Sequence, residues 1–302
     1  MIADYRERLG QCQTVNQIHR LHITLEALFT PAGLLSMWDA VCIQSEFWEG
    51  PDQINNDIDP AVLRQVCVSW LEKLKGMHDL SGKPEPEPYL RREMTPAVTL
   101  FSNGEPPDRK SLLVCFSGSG HRPMMPPMTF VQCLDAGRTD FALLRDLSLE
   151  AYTQGLAHVA DTLEGMQAQL PGLLQFHRYL RVDALGISGG GIAALLSALR
   201  WNSAVGVAVG PTKPTIPRWT KASGDHVGMD LRSARLDSRT QKLAILYGAQ
   251  SPTDRVAAEA LASYIPVELM EISDPEGPVH HNALYPILRQ GRLPKFLEDI
   301  YR

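Results

Sequence analysis

The apolar positions of this chain change period near residue 90. Before it, Ile18, Leu21, Leu25 and Leu28 recur at steps of three and four, and Val62, Val66, Trp70, Leu71 and Leu74 do so again. Such spacing puts side chains on one face of a helix, so at least two amphipathic helices are predicted, with residues 34–41 as a third. Gly50-Pro51-Asp52 and Asp59-Pro60 supply turns, and Pro60 suits a first helical turn. Trp38, Phe47, Trp48 and Trp70 sit at helical spacing and are read as core.

From residue 95 the rhythm becomes short apolar runs separated by helical stretches. Residues 97–101, 112–116, 141–144, the run from 182 up to the turn at Gly186, 204–209, 243–247 and 267–272 are predicted strands. The run at 112–116 is apolar throughout, which suits a strand buried on both faces. Residues 129–134, 156–174, 256–264 and most of 284–301 are predicted helices, and 211–242 an irregular polar segment. Alternation of this kind specifies a mostly parallel sheet covered on both faces by helices, with sites at the carboxyl ends of its strands. Alternating proline and charge at 82–88 marks an extended connection. The expected organisation is therefore a helical region over 1–90, serving as cap or interaction surface, and an α/β domain over 91–302.

Composition narrows the function class. At 302 residues the chain can bury a large core. A net charge of −5 without long like-charge blocks argues against nucleic acid and anionic membrane as partners. Cys12, Cys42, Cys67, Cys115 and Cys133 are widely spaced with no Cys-x-x-Cys pair, the pattern of buried thiols in a reducing compartment. The first eight residues mix charges and read as no secretory signal, and no apolar run approaches membrane-spanning length. A cytoplasmic location is expected. Gly118-x-Gly120-x-x-Pro123 lacks the third glycine of a dinucleotide fingerprint, no phosphate loop follows it, and no metal-ligand spacing occurs, so no cofactor or metal is expected.

The chemistry concentrates at residues 182–196. A run of strand formers enters the turn Gly186-Ile187-Ser188-Gly189-Gly190, and an alanine and leucine run with helical character leaves it. A Gly-x-Ser-x-Gly turn between strand and helix holds its serine in a strained conformation above the sheet edge. A helix starting at Gly189 would bring unpaired N–H groups and a positive dipole end close to the Ser188 hydroxyl. Serine is a poor nucleophile at neutral pH and needs a base and a group to orient that base. Asp254 follows the strand at 243–247, in a loop just before a helix, and His281 follows the next strand. All three positions then fall at carboxyl ends of parallel strands.

Serine on an elbow, then acid, then histidine in that chain order resembles the α/β-hydrolase superfamily, over roughly residues 95–302. The resemblance implies an α/β-hydrolase fold, with Ser188 as nucleophile, Asp254 as orienting acid and His281 as general base. His280, adjacent, is the alternative base; Asp146 and Asp274 are the rival acids. Ser117-Gly118-Ser119-Gly120 stands where the superfamily usually carries His-Gly-x, with Ser117 in place of the histidine. By that position the N–H groups of Ser119 and Gly189 would bind the oxyanion, a contribution of roughly 3 kcal/mol per donor in acyl-transfer enzymes. Arg122, beside this loop, is a candidate for holding a substrate carboxylate or phosphate, against the alternative of a loop ion pair. No large cap follows the strand ending at residue 209, so the amino-terminal helices are the candidate cover, or else a homodimer interface.

The expected activity is hydrolysis of a small-molecule carboxylic ester or thioester through an acyl-enzyme. Acyl transfer by the same residues, and a non-catalytic interaction protein on the same fold, are the alternatives.

Overall fold

The structure, a computed structural model, describes residues 1–49, 58–80, 88–214 and 227–301. The turn at 50–52, residues 82–87 of the proline-rich connection and residues 215–226 of the polar segment lie outside the described residues. The chain divides into two compact units, Met1–Pro86 with Pro126–Gln132, and Glu87–Met125 with Cys133–Arg302.

The first unit is helical. Its helices include Ile2–Gly10, Val15–Leu28, Pro31–Leu35, Glu46–Glu49 and Pro60–Leu80, with a π-helical turn at Asp39–Ile43 overlapping the end of the stretch predicted as a third helix. Thr14 starts the second of these by a capping box: its hydroxyl accepts from the Gln17 N–H, and the Gln17 side chain accepts from the Thr14 N–H. Tyr5, Leu9, Ile18, Leu25, Leu34, Met37, Phe47, Cys67, Trp70 and Leu71 form the core, with Trp38 and Trp48 packed against it. Leu28 and Val62, two positions of the predicted apolar faces, are exposed near the ends of their helices. The short helix Pro127–Val131 groups with this unit although the sequence places it among the strands.

The second unit holds eight strands, β1 Leu90–Thr95, β2 Val98–Ser102, β3 Ser111–Phe116, β4 Thr139–Leu144, β5 Arg181–Ile187, β6 Val205–Val209, β7 Lys242–Gly248 and β8 Glu268–Ile272. They form one sheet in the order β1-β2-β4-β3-β5-β6-β7-β8. Pairing is parallel from β4 through β3 to β8 and antiparallel at β1–β2 and β2–β4. β1 has no counterpart among the predicted strands. Its sequence Leu90-Arg-Arg-Glu-Met-Thr lacks an apolar run because an edge strand need not bury both faces. β3, β5 and β6 are buried almost throughout. Ile192 to Leu199 of the helix Gly191–Trp201 packs with Val114, Phe116, Ala184, Ala208 and Ile245 in the core.

Other boundaries differ from the sequence reading. Residues 156–160 close an isolated bridge between Leu156 and Ala160, and the helix expected from 156 begins at Leu163, where the Thr162 hydroxyl caps it. The polar segment contains a helix, Val227–Asp237. The carboxyl-terminal helix is broken into Leu284–Arg289 and Leu293–Ile300 at Gly291, whose positive φ ends the first.

Candidate active site

Ser188 sits immediately after β5 with φ +52°. A non-glycine residue in this left-handed region costs about 1–2 kcal/mol and persists only where its surroundings enforce it. Here they are glycines. A Cβ on Gly190 would lie 2.2 Å from the Phe116 carbonyl oxygen, and one on Gly186 2.5 Å from the Gly190 oxygen. The chain leaves the elbow through a single 3₁₀ turn, Ser188–Gly190, before the α-helix opens at Gly191, two residues later than the sequence suggests.

His281 and Asp254 meet Ser188 at the same edge of the sheet. Asp254 lies within the first turn of the helix Pro252–Ala262 rather than in the loop before it, and it is 5 % exposed. The His281 Nδ1 stands 3.1 and 3.0 Å from the two Asp254 carboxylate oxygens, and its Nε2 stands 3.0 Å from the Ser188 Oγ. With Nδ1–H donating to the carboxylate, Nε2 is left to accept the serine proton. The hydrogen bond to Asp254 raises the His281 pKa above its ordinary value; partial burial opposes this, and the charge of Asp254 adds to it. Gly210, φ +52°, lies under the ring: a Cβ there would come 2.9 Å from His281 Nδ1.

The rivals are occupied elsewhere. His280 Nδ1 donates to the Gln250 carbonyl at 3.2 Å. Asp274 pairs with Arg289. Asp146 accepts from the N–H of Ser148 at 3.1 Å and of Tyr152 at 3.0 Å, folding the loop that follows β4.

A pocket of ≈ 70 Å³ opens beside Ser188, walled by Ser117, Gly118, Ser119, Asp146, Leu149, Ala151, Tyr152, Gly189 and Thr212. Ser119 and Gly189, the two positions proposed from sequence for the oxyanion, thus face one space with the serine. Arg122 does not wall it; its side chain folds back over Gly120. Tyr152, which sequence reasoning passed over, shares its buried hydroxyl between the carbonyls of Ser117 at 3.1 Å and Leu144 at 2.9 Å. It ties the Ser117–Ser119 loop to the end of β4. A lone tyrosine in a polar loop carries no spacing signal that could have pointed to it.

Serine elbow after β5, acid after β7 and histidine after β8, on this strand order, complete the pattern. The chain has the α/β-hydrolase fold. No family model matches it, and no curated protein matches its sequence. Among solved α/β hydrolases and other structures it is similar to esterase B from Lactobacillus rhamnosis, at 13% identity over 79% of this chain and 91% of that one, with a TM-score of 0.48. It is also similar to the capsule O-acetyltransferase of Neisseria meningitidis serogroup A, at 14% identity over 71% and 95% of the two chains, TM-score 0.49. The 2,6-dihydroxy-pseudo-oxynicotine hydrolase is similar at 13% identity over 99% of this chain and 86% of that chain, TM-score 0.47. Among the described residues of this α/β-hydrolase fold there is no cluster of three His, Cys, Asp or Glu side chains suited to a metal, and no helix long and apolar enough to cross a membrane.

Proposed function

We propose that this protein is a serine hydrolase acting on a small carboxylic ester or thioester through an acyl-enzyme. The observation that carries the reading is the chain of contacts from Asp254 through His281 to Ser188, each within hydrogen-bond distance. The Ser188 Oγ attacks the carbonyl carbon while His281 Nε2 takes its proton. Charge gathering on the carbonyl oxygen is met by the N–H groups of Ser119 and Gly189. The intermediate collapses as His281 passes the proton to the departing alcohol or thiol, leaving Ser188 acylated. Water enters, gives its proton to His281 and attacks the acyl carbon; release of the acid returns the proton to Ser188. Asp254 holds the imidazole in the tautomer that both halves need.

A fluorophosphonate probe tests this directly. The expected result is a covalent label on Ser188 in the wild-type protein, none there in Ser188→Ala, and parallel loss of ester hydrolysis. An unlabelled wild type, as for a non-catalytic interaction protein, or label and turnover persisting in Ser188→Ala, overturns the reading. Product analysis with and without an added alcohol separates hydrolysis from acyl transfer.

A further inference from the structure

Gln250 occupies the junction between the segments that carry Asp254 and His281. It lies two residues beyond the end of β7 and four before Asp254. Its backbone N–H donates to the Val279 carbonyl at 2.9 Å, its side-chain Oε1 accepts from the Val279 N–H at 2.7 Å, and its carbonyl accepts from His280 Nδ1 at 3.2 Å. The next residue but one after Val279 is His281. One residue therefore makes three hydrogen bonds to the two positions preceding the histidine, just past the Ala249 N–H bond to the Ile272 carbonyl at 2.9 Å that closes the β7–β8 pairing. The approach is close: a Cβ on Gly248 would lie 2.0 Å from the His280 oxygen and 2.4 Å from the Val279 oxygen. Val279 is 1 % exposed, so its side chain pins the far side of this junction.

We propose that Gln250 is a positioning residue that sets the distance between Asp254 and His281, acting through the Val279–His280 backbone; this rests on the function proposed above. Of its three bonds, the one made by Oε1 depends on the side chain. Asp254 is the charged group acting on the His281 ring, with His280 the adjacent titratable one. Losing the Oε1 bond releases the histidine loop and weakens the bond that keeps the imidazole oriented.

The test compares Gln250→Met, similar in length but without a strong acceptor, with Gln250→Glu, which keeps an oxygen for the Val279 N–H. Ester kcat and KM are measured with the His281 titration followed by NMR, a readout that needs no turnover. In Gln250→Met, kcat is expected to fall about fivefold, the loss of a typical hydrogen bond, with KM unchanged. The His281 midpoint is expected to fall toward its ordinary value, and Gln250→Glu to recover most of both. A Met variant with wild-type kcat and midpoint, or a Glu variant as impaired as the Met variant, overturns the proposal. A wild type in which His281 titrates with a raised midpoint that Gln250→Met lowers, yet which hydrolyses no ester, overturns the hydrolase reading and leaves Gln250 in place.

Discussion

His281 presents Nδ1 to both carboxylate oxygens of Asp254, at 3.1 and 3.0 Å, across 27 positions of sequence. The proposed mechanism needs the imidazole neutral, and the carboxylate stabilises its protonated form. Activity should therefore rise with pH through a midpoint above 6.5, the ordinary histidine value. Asp254→Asn removes the raising influence, so the midpoint should move down. It should also lower kcat on the order of 10⁴-fold, because an amide can hold the wrong tautomer. A pH profile of kcat/KM for both proteins checks the sign.

The elbow tolerates no side chain at Gly190, where a Cβ would meet the Phe116 carbonyl oxygen at 2.2 Å. Gly190→Ala should destabilise the protein by about 1–3 kcal/mol, the usual cost of overpacking. It should also slow fluorophosphonate labelling, since relief comes by shifting Ser188 or β3. Denaturant melts and labelling rates on the same sample measure both.

Tyr152→Phe deletes the hydroxyl that joins the Ser117 and Leu144 carbonyls while leaving the ring, which packs edge-on to Phe116, in place. Loosening the Ser117–Ser119 loop weakens binding of the oxyanion more than of the ground-state ester. The expected result is a lower kcat at similar KM, with a stability loss of about 1 kcal/mol. An unchanged kcat would remove Ser119 from the oxyanion role.

The pocket beside Ser188 is small, ≈ 70 Å³, below the usual size of sites for drug-sized ligands, and Ser117, Ser119, Asp146 and Thr212 make much of its wall polar. Acetyl and butyryl esters should be hydrolysed faster than octanoyl or decanoyl esters of the same alcohol. A chain-length series of kcat/KM measures this, and a maximum at long chains would contradict it.

In the helical unit, His22 is buried against Trp70, ring centroids 3.9 Å apart, and its Nε2 meets the Tyr5 hydroxyl at 2.8 Å. Burial, helped by the charge of His19, lowers its pKa to about 3. Above pH 6.5 the ring is neutral folded or unfolded, so it adds no pH dependence there. Between 6.5 and about 3 the unfolded chain binds a proton that the folded unit refuses, and stability falls. Hydrogen exchange in Val15–Leu28 should accelerate on going from pH 7 to pH 4, after correction for intrinsic rates, and His22→Phe should flatten that response.

How much of this was legible depended on the range of the interaction involved. Ser188, Asp254 and His281 could be found because parallel strands all point their carboxyl ends to one edge, so chain order alone brings those loops together. His280 and His281 could not be separated, since adjacent residues share one loop and only the direction of each ring distinguishes them. β1 was missed for want of an apolar signal, and the helix Val227–Asp237 because charged residues interrupt its apolar positions.

Residue periodicity determined the helical beginning, the mostly parallel sheet and the strained serine turn, because burial and backbone strain act over a few neighbouring positions and leave a mark at each. Tertiary structure alone decided which histidine faces Ser188, that Asp254 enters a helix rather than a loop, that Arg122 is not among the residues walling the pocket, and that Tyr152 and Gln250 brace the site. Those outcomes come from hydrogen bonds between segments far apart in the chain, whose partners exist only once the sheet has assembled.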